Sequence, residues 1–232
     1  MKSIRILVAE DEPIIGLDIQ NTLQNLGYDV PEVVSSGEDA VKKSEELKPD
    51  IILMDIVLSG KIDGIDAVKQ ITEKQDIPII YLTAHTEKIT FDLARETNPY
   101  GYLVKPLGKS DLYTAIETAL HRHEMERKLR ESEGRMSLAQ QAADIGTWDL
   151  NLQDDILTWS DEIYLHFGLK PNEITPTYEA FDSFIHPDDK EQVNKAVQQA
   201  LEDKKPYSLD ARMLRADGTE WVMHARGTAI TD

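Results

Sequence analysis

The chain of 232 residues exceeds one ordinary small domain and, at roughly 100–200 residues per domain, suggests two. It carries 25 Lys and Arg against 43 Asp and Glu, a formal charge of −18 that repels phosphate backbones and anionic membranes, so no nucleic-acid partner is expected. It has no cysteine, which excludes disulfides, thiolate metal sites, Cys nucleophiles and flavin–cysteinyl photochemistry. The longest apolar runs, Ile51–Met54 and Ile77–Leu82, fall far short of the about 20 residues of a membrane span. Met1–Arg5 pass directly into a strand-like run, without a secretory signal region. A cytoplasmic protein without membrane insertion is the expectation.

The charge is unevenly placed. Residues 1–120 sum to −9, residues 121–136 to +1, and residues 137–232 to −10. The middle stretch lacks Pro and β-branched residues and reads as a charged helical linker between two acidic domains.

In the first 120 residues, short apolar runs alternate with helical patterns. The runs are Ile4–Ala9, Val30–Val34, Ile51–Met54, Ile79–Leu82 and Tyr102–Val104. The helical patterns are Ile14–Leu26, Glu38–Leu47, Ile65–Lys74, Thr86–Glu96 and one from Lys109 onward. Strands apolar on both faces belong in a parallel sheet covered by helices, so this half predicts a doubly wound five-stranded α/β domain. In such a sheet the chemistry lies beyond the carboxyl ends of the strands. There stand Glu10 and Asp11, Asp55, Thr83, and Lys105 followed by Pro106. Three carboxylates repel one another unless a hard divalent cation joins them, and oxygen-only ligands favour Mg2+. A carboxylate beside that ion, with Lys and Thr to hold phosphoryl oxygens, is equipped to accept a phosphoryl group.

These motifs resemble the receiver domain of two-component response regulators. The acidic pair is Glu10-Asp11, the aspartate lies in Leu53-Met54-Asp55-Ile56, the hydroxyl in Leu82-Thr83-Ala84, and the lysine in Lys105-Pro106. The resemblance implies a flavodoxin-like fold with Asp55 as phosphoacceptor. It implies Mg2+, or Mn2+ in its place, bound directly by Asp11 and Asp55, through water by Glu10, and by the backbone carbonyl of Val57. Thr83 and Lys105 are implied to stabilise the phosphoryl group, the proline to be cis, and Tyr102 to be the aromatic switch. One departure stands out. Ser59-Gly60 replaces the usual Pro, and Asp63-Gly64 lies one residue later than in the family, which leaves the shape of this loop open.

The second half reads as strands, then helices, then strands, the pattern of an α+β domain with an antiparallel sheet. Ile145–Gln153 and Ile156–Ser160 form a hairpin around Asp154-Asp155. Helical pieces follow at Asp161–Phe167, Tyr178–Ile185 and Pro187–Glu202. Tyr207–Leu214 and Glu220–Ile230 then flank an Asp217-Gly218 turn. Residues 137–232 resemble a PAS domain through Ile145-Gly146-Thr147-Trp148-Asp149, Trp159-Ser160, Phe184-Ile185-His186-Pro187-Asp188-Asp189 and Arg215-Ala216-Asp217-Gly218-Thr219-Glu220-Trp221-Val222. The resemblance implies a fifth strand in the middle of the sheet, and only four are countable, so the domain is expected to lack its last strand. No PAS ligand is identified. His186 reads as a helix-entry residue rather than a haem ligand, and Trp148, Trp159 and Trp221 as packing residues. His121 and His123 read as solvated.

The resulting expectation is a receiver (1–120), a helical linker (121–136) and a PAS module (137–232), with a sensor histidine kinase as phosphoryl donor and no DNA-binding or kinase catalytic output. The alternative is the sensory amino-terminal part of a hybrid histidine kinase. Met125, Leu129, Ser132 and Met136, spaced 4-3-4, suggest a seam for a homodimer, whereas Leu112, Ile116, Ala119 and His123 suggest a stripe packed on the receiver. The downstream partner is not identified.

Overall fold

A computed structural model describes residues 3–84, 97–154 and 156–228. The chain forms two compact units, Met1–Glu131 and Ser132–Asp232.

In the first unit, β1 (Ile6–Ala9), β2 (Val33–Val34), β3 (Ile51–Asp55), β4 (Ile79–Thr83) and β5 (Gly101–Val104) form one parallel sheet in the order β2-β1-β3-β4-β5. Every residue of β1, β3 and β4 is buried, as strands covered on both faces must be. The predicted second strand is cut to two residues because Pro31, inside the run Val30–Val34, has no N–H for a ladder. The helices are α1 (Pro13–Asn25), α2 (Gly37–Leu47), α3 (Gly64–Thr72) and α4 (Lys109–Ala142). Pro13 opens α1, where its missing N–H costs nothing, and Gly27 follows its end at φ +94°. Ser36 and Asp63 cap α2 and α3 by accepting from the backbone N–H groups of Asp39 and Asp66. One apolar layer, with Leu7, Ile52, Met54, Val68 and Tyr81, lies on the α2–α3 face. The other, with Ile6, Val8, Leu53, Leu82 and Ile116, lies on the α1–α4 face. Each such side chain contributes about 1.5–3 kcal/mol by its burial. The helix read at Thr86–Glu96 falls outside the described residues.

Helix α4 is continuous over 34 residues. Leu112, Ile116 and Ala119 are buried against the sheet, as the upstream stripe predicts. Beyond them the helix is mostly exposed and is laced by Lys128–Glu124, Arg122–Glu126 and Arg127–Glu131 pairs at four-residue spacing. His123 corrects the sequence reading. It is not solvated: its Nε2 lies 3.1 Å from Asp76 Oδ1, and its ring meets Tyr100 edge-on at 5.6 Å. Half-buried, it continues the stripe of Leu112, Ile116 and Ala119 by one turn.

The second unit holds β6 (Trp148–Asn151) and β7 (Ile156–Trp159), then α5 (Asp161–His166), α6 (Tyr178–Ser183) and α7 (Lys190–Asp203), then β8 (Tyr207–Leu214) and β9 (Glu220–Gly227). The four strands counted from the sequence are all present. Among the described residues they form two antiparallel ladders, β6–β7 and β8–β9, rather than one continuous sheet. Each ladder is a local hairpin, and joining them needs pairing that neither hairpin supplies. Phe167, Ile185, Val193, Ala211 and Met213 form the core, with Trp159 and Trp221 against it, and Phe167 stacks on Phe184 at 4.5 Å. Trp148 is the more exposed tryptophan and lies against Gly227, where a Cβ would stand 2.9 Å from its ring. His186 caps a 3-10 turn at Pro187–Asp189, its Nδ1 accepting from Asp188 N–H, with Nε2 3.6 Å from Glu220. Asp189 then receives Arg212 through the backbone N–H at 2.8 Å, Nε at 3.1 Å and Nη2 at 2.6 Å, which ties the entry of α7 to β8.

Candidate functional site at the carboxyl edge of the parallel sheet

Strand register assembles this site. Ala9 pairs with Met54 and Thr83 with Val104, so the residues that follow β1 and β5 emerge level with Asp55 and Thr83. Asp55 is the last residue of β3 and Thr83 the last of β4, and both are buried, as is Glu10. One carboxylate oxygen from each of Glu10, Asp11 and Asp55 falls within 4.8 Å of the others. Lys105, after β5 and joined to Pro106 by a cis peptide bond, reaches in from the far side. Its Nζ lies 2.5 Å from Asp55 Oδ2 and 2.6 Å from Glu10 Oε2.

Burial works against the charges of Glu10 and Lys105. It pushes the Glu10 carboxyl up from its ordinary value, and the nearby Asp55 charge adds to that, against the pull of Lys105. Burial would lower Lys105, but its hydrogen bonds to Asp55 and Glu10, with their charges, outweigh that and hold the ammonium above its ordinary value. Three carboxylates and one ammonium leave two negative charges uncompensated. The donors are oxygens only, a set that suits a hard divalent cation. A small anionic group brought to Asp55 would meet both that cation and the Lys105 ammonium.

Val57 follows Asp55 by two residues, and its backbone N–H donates to Asp55 Oδ1 at 3.1 Å. Thr83 Oγ1 donates to the Ala84 carbonyl at 3.1 Å rather than to a group of the acidic cluster. Tyr102 pairs with Tyr81 across β4 and β5, their rings stacked at 5.9 Å and 25°. Tyr81 escaped the sequence reading. Its signal was available, because it lies two before Thr83 in the same strand and shares its face of the sheet. Tyr81 is fully buried, and its hydroxyl lies 3.0 Å from Thr97 Oγ1.

The loop left open by the sequence is held on both sides. Ser59 bridges to Ser36 in parallel fashion, and its hydroxyl donates to Asp11 Oδ2 at 2.8 Å. Lys61 N–H donates to Glu38 Oε1 at 2.7 Å. With the loop held in this way, Glu10, Asp11 and Asp55 still stand together as one acidic cluster.

Residues 6–117 match the response regulator receiver domain family, and residues 156–232 match the PAS fold. Transcriptional regulatory protein PdtaR of Mycobacterium tuberculosis (strain CDC 1551 / Oshkosh) is 40% identical over 118 residues, 51% of this chain and 57% of that protein. Alkaline phosphatase synthesis transcriptional regulatory protein PhoP of Bacillus subtilis (strain 168) is 38% identical over 122 residues, 52% of this chain and 50% of that protein. The chain therefore spans about half the length of these curated relatives. Among solved structures, the signal receiver domain of a modulated diguanylate cyclase from Desulfovibrio desulfuricans G20 is 36% identical. The match covers 54% of this chain and 99% of that one, with a TM-score of 0.52. No helix among the described residues is long and apolar enough to cross a membrane. The chain belongs to the response regulator receiver domain family through residues 6–117 and carries a PAS fold in residues 156–232.

Proposed function

We propose that the chain accepts a phosphoryl group from a partner histidine kinase on Asp55 and passes the resulting change along helix α4 to the PAS unit. The observation that carries this reading is Lys105 Nζ, seated between Asp55 and Glu10 at the ends of the strands. Mg2+, or Mn2+ in its place, would be held by Asp11 and Asp55, with Glu10 through water and the Val57 carbonyl as further ligands, and would supply charge neutralisation at the phosphoryl oxygens.

The Asp55 carboxylate attacks phosphorus. A P–O bond forms as the P–N bond to the donor imidazole breaks, and the bonding pair leaves with the imidazole. The Lys105 ammonium, kept protonated by its two carboxylate neighbours, turns to an equatorial phosphoryl oxygen. Thr83 exchanges its bond to the Ala84 carbonyl for one to another phosphoryl oxygen. Tyr102 shares the Tyr81 ring and sits across the ladder from β4, so a shift of Thr83 bears on both rings. The homodimer seam on α4 would present the change to a second copy.

Incubation of the full chain with Mg2+ and acetyl phosphate tests this reading. Mass spectrometry should find one added phosphoryl group, labile to base and hydroxylamine as an acyl phosphate is. Asp55→Asn should abolish it. Equal and lasting phosphorylation of the Asp55→Asn protein would refute the assignment.

A further inference from the structure

The segment between Asp55 and α3 departs from its family by one residue and by the loss of a proline, yet it is tightly fixed. Gly60 has φ +120°, a backbone region that side chains rarely adopt, and a Cβ there would stand 2.4 Å from Glu38 Oε2. Glu38 lies in the first turn of α2, and its other oxygen takes the Lys61 N–H. Immediately before Gly60, Ser59 is bridged to Ser36, the residue that caps α2. The start of α2 therefore clamps this loop at three consecutive residues, 59, 60 and 61.

The clamp has one product at the site. It aims the Ser59 hydroxyl at Asp11 Oδ2, 2.8 Å away. Asp11 is the least buried of the three clustered acids, whereas Glu10 and Asp55 are buried and share Lys105. Asp11 is bonded instead by the Ser59 hydroxyl. A hydroxyl donating to one carboxylate oxygen fixes the rotamer and directs the second oxygen, which is the usual work of a group bonded to a metal ligand.

We infer that Ser59 is a positioning residue for the divalent cation: held by Ser36 and, through the neighbouring Lys61 N–H, by Glu38, it orients Asp11 and thereby sets the affinity of the acidic cluster for Mg2+. The inference rests on the metal reading above and extends it to a residue that is not itself a ligand. In this loop a hydrogen bond does what a rigid proline would do by restricting the backbone.

The test is calorimetric titration of the full chain with Mg2+, together with the Tm of each variant. Ser59→Ala should raise the Kd about 10-fold, the lower end of what loss of a ligand's hydrogen-bond partner costs, with Tm unchanged. Ser59→Thr keeps the hydroxyl and should restore wild-type affinity. Glu38→Ala touches no ligand, and a weaker Mg2+ affinity there would report the clamp. Wild-type affinity in Ser59→Ala would overturn the inference and leave the metal reading intact. Failure of the unmodified chain to bind Mg2+ would overturn both.

Discussion

Gly64 lies so close to Asp55 that a Cβ on it would stand 1.8 Å from the Asp55 carbonyl oxygen. The same glycine donates its N–H to the Ile56 carbonyl at 3.0 Å, so the first residue of α3 is laid directly on the backbone that carries the phosphoacceptor candidate. A methyl group here has nowhere to go except by moving α3 or the end of β3. Gly64→Ala should therefore lower the rate of acetyl phosphate labelling by up to about 100-fold, the scale of an ångström-sized misplacement. It should also cost about 1–3 kcal/mol of stability as an overpacking change. Rate and thermal unfolding together check it. Labelling at the wild-type rate would show that the close approach does not set the position of Asp55.

What could be read without coordinates follows from the range of the interactions. Glu10, Asp55, Thr83 and Lys105 were legible because each directly follows or ends an apolar run, and a parallel sheet brings such ends together whatever lies between them. Hairpins β6–β7 and β8–β9 were legible because alternation and turn residues are local. Ser59 with Asp11, and Gly64 with Asp55, were not, since each contact depends on how a loop packs rather than on a period. Pro31 was visible in the run Val30–Val34, and its missing N–H should have shortened that strand. His123 continued an apolar stripe by its spacing, yet its polarity suggested solvent. Asp76, 47 residues away, supplies the partner that makes a packed position suitable for an imidazole.

The Asp189–Arg212 pair gives the second unit a definite response to acid. Hydrogen bonds from Arg212 hold the Asp189 carboxyl down at about 2, below the roughly 3.9 of an unfolded aspartate. A depressed value in the folded state means that stabilisation is complete above the unfolded value and is lost as pH falls through the folded one. Stability of this unit should therefore decline between about pH 4 and pH 2, and Asp189→Asn should flatten that part of the slope. Tryptophan fluorescence isolates the unit, because Trp148, Trp159 and Trp221 are the only tryptophans in the chain. An unchanged slope in Asp189→Asn would show that other carboxylates carry the effect.

Past Ala119, contacts to two receiver residues hold α4 down. Asp76 takes His123 and, at 2.6 Å, Arg130 Nη2. The Tyr100 hydroxyl donates to Glu126 at 2.6 Å, and the Arg122 guanidinium lies 5.0 Å from the Tyr100 ring. Exposed ion pairs contribute only about 0–1 kcal/mol each, so the hold should be real but easily released. Asp76→Ala combined with Tyr100→Phe should speed hydrogen exchange of residues 121–131 several-fold and leave β1 and β3 protected. Unaltered exchange in 121–131 would mean that helix propensity alone keeps this turn formed.

An adjacent face of the same helix carries apolar side chains. Met125, Leu129 and Met136 are 52–65% exposed and, with Ser132, recur at 4-3-4 spacing, the seam of a two-stranded coiled coil. The neighbouring positions carry Lys, Arg and Glu that already pair along the helix, so the apolar seam is the face left for a second copy. Two heptads make a weak coiled coil by themselves, because helix nucleation costs more than a short seam returns. Here α4 is already nucleated by its buried first turns, with Leu112, Ile116 and Ala119 against the sheet. That removes most of the cost and makes a short seam sufficient. The full chain should scatter light as a dimer at micromolar concentration, and Leu129→Glu, which places like charges at the centre of the seam, should shift it to monomer without lowering receiver stability. A monomeric mass for the unmodified chain across that range, with and without acetyl phosphate and Mg2+, would rule out the seam as an interface.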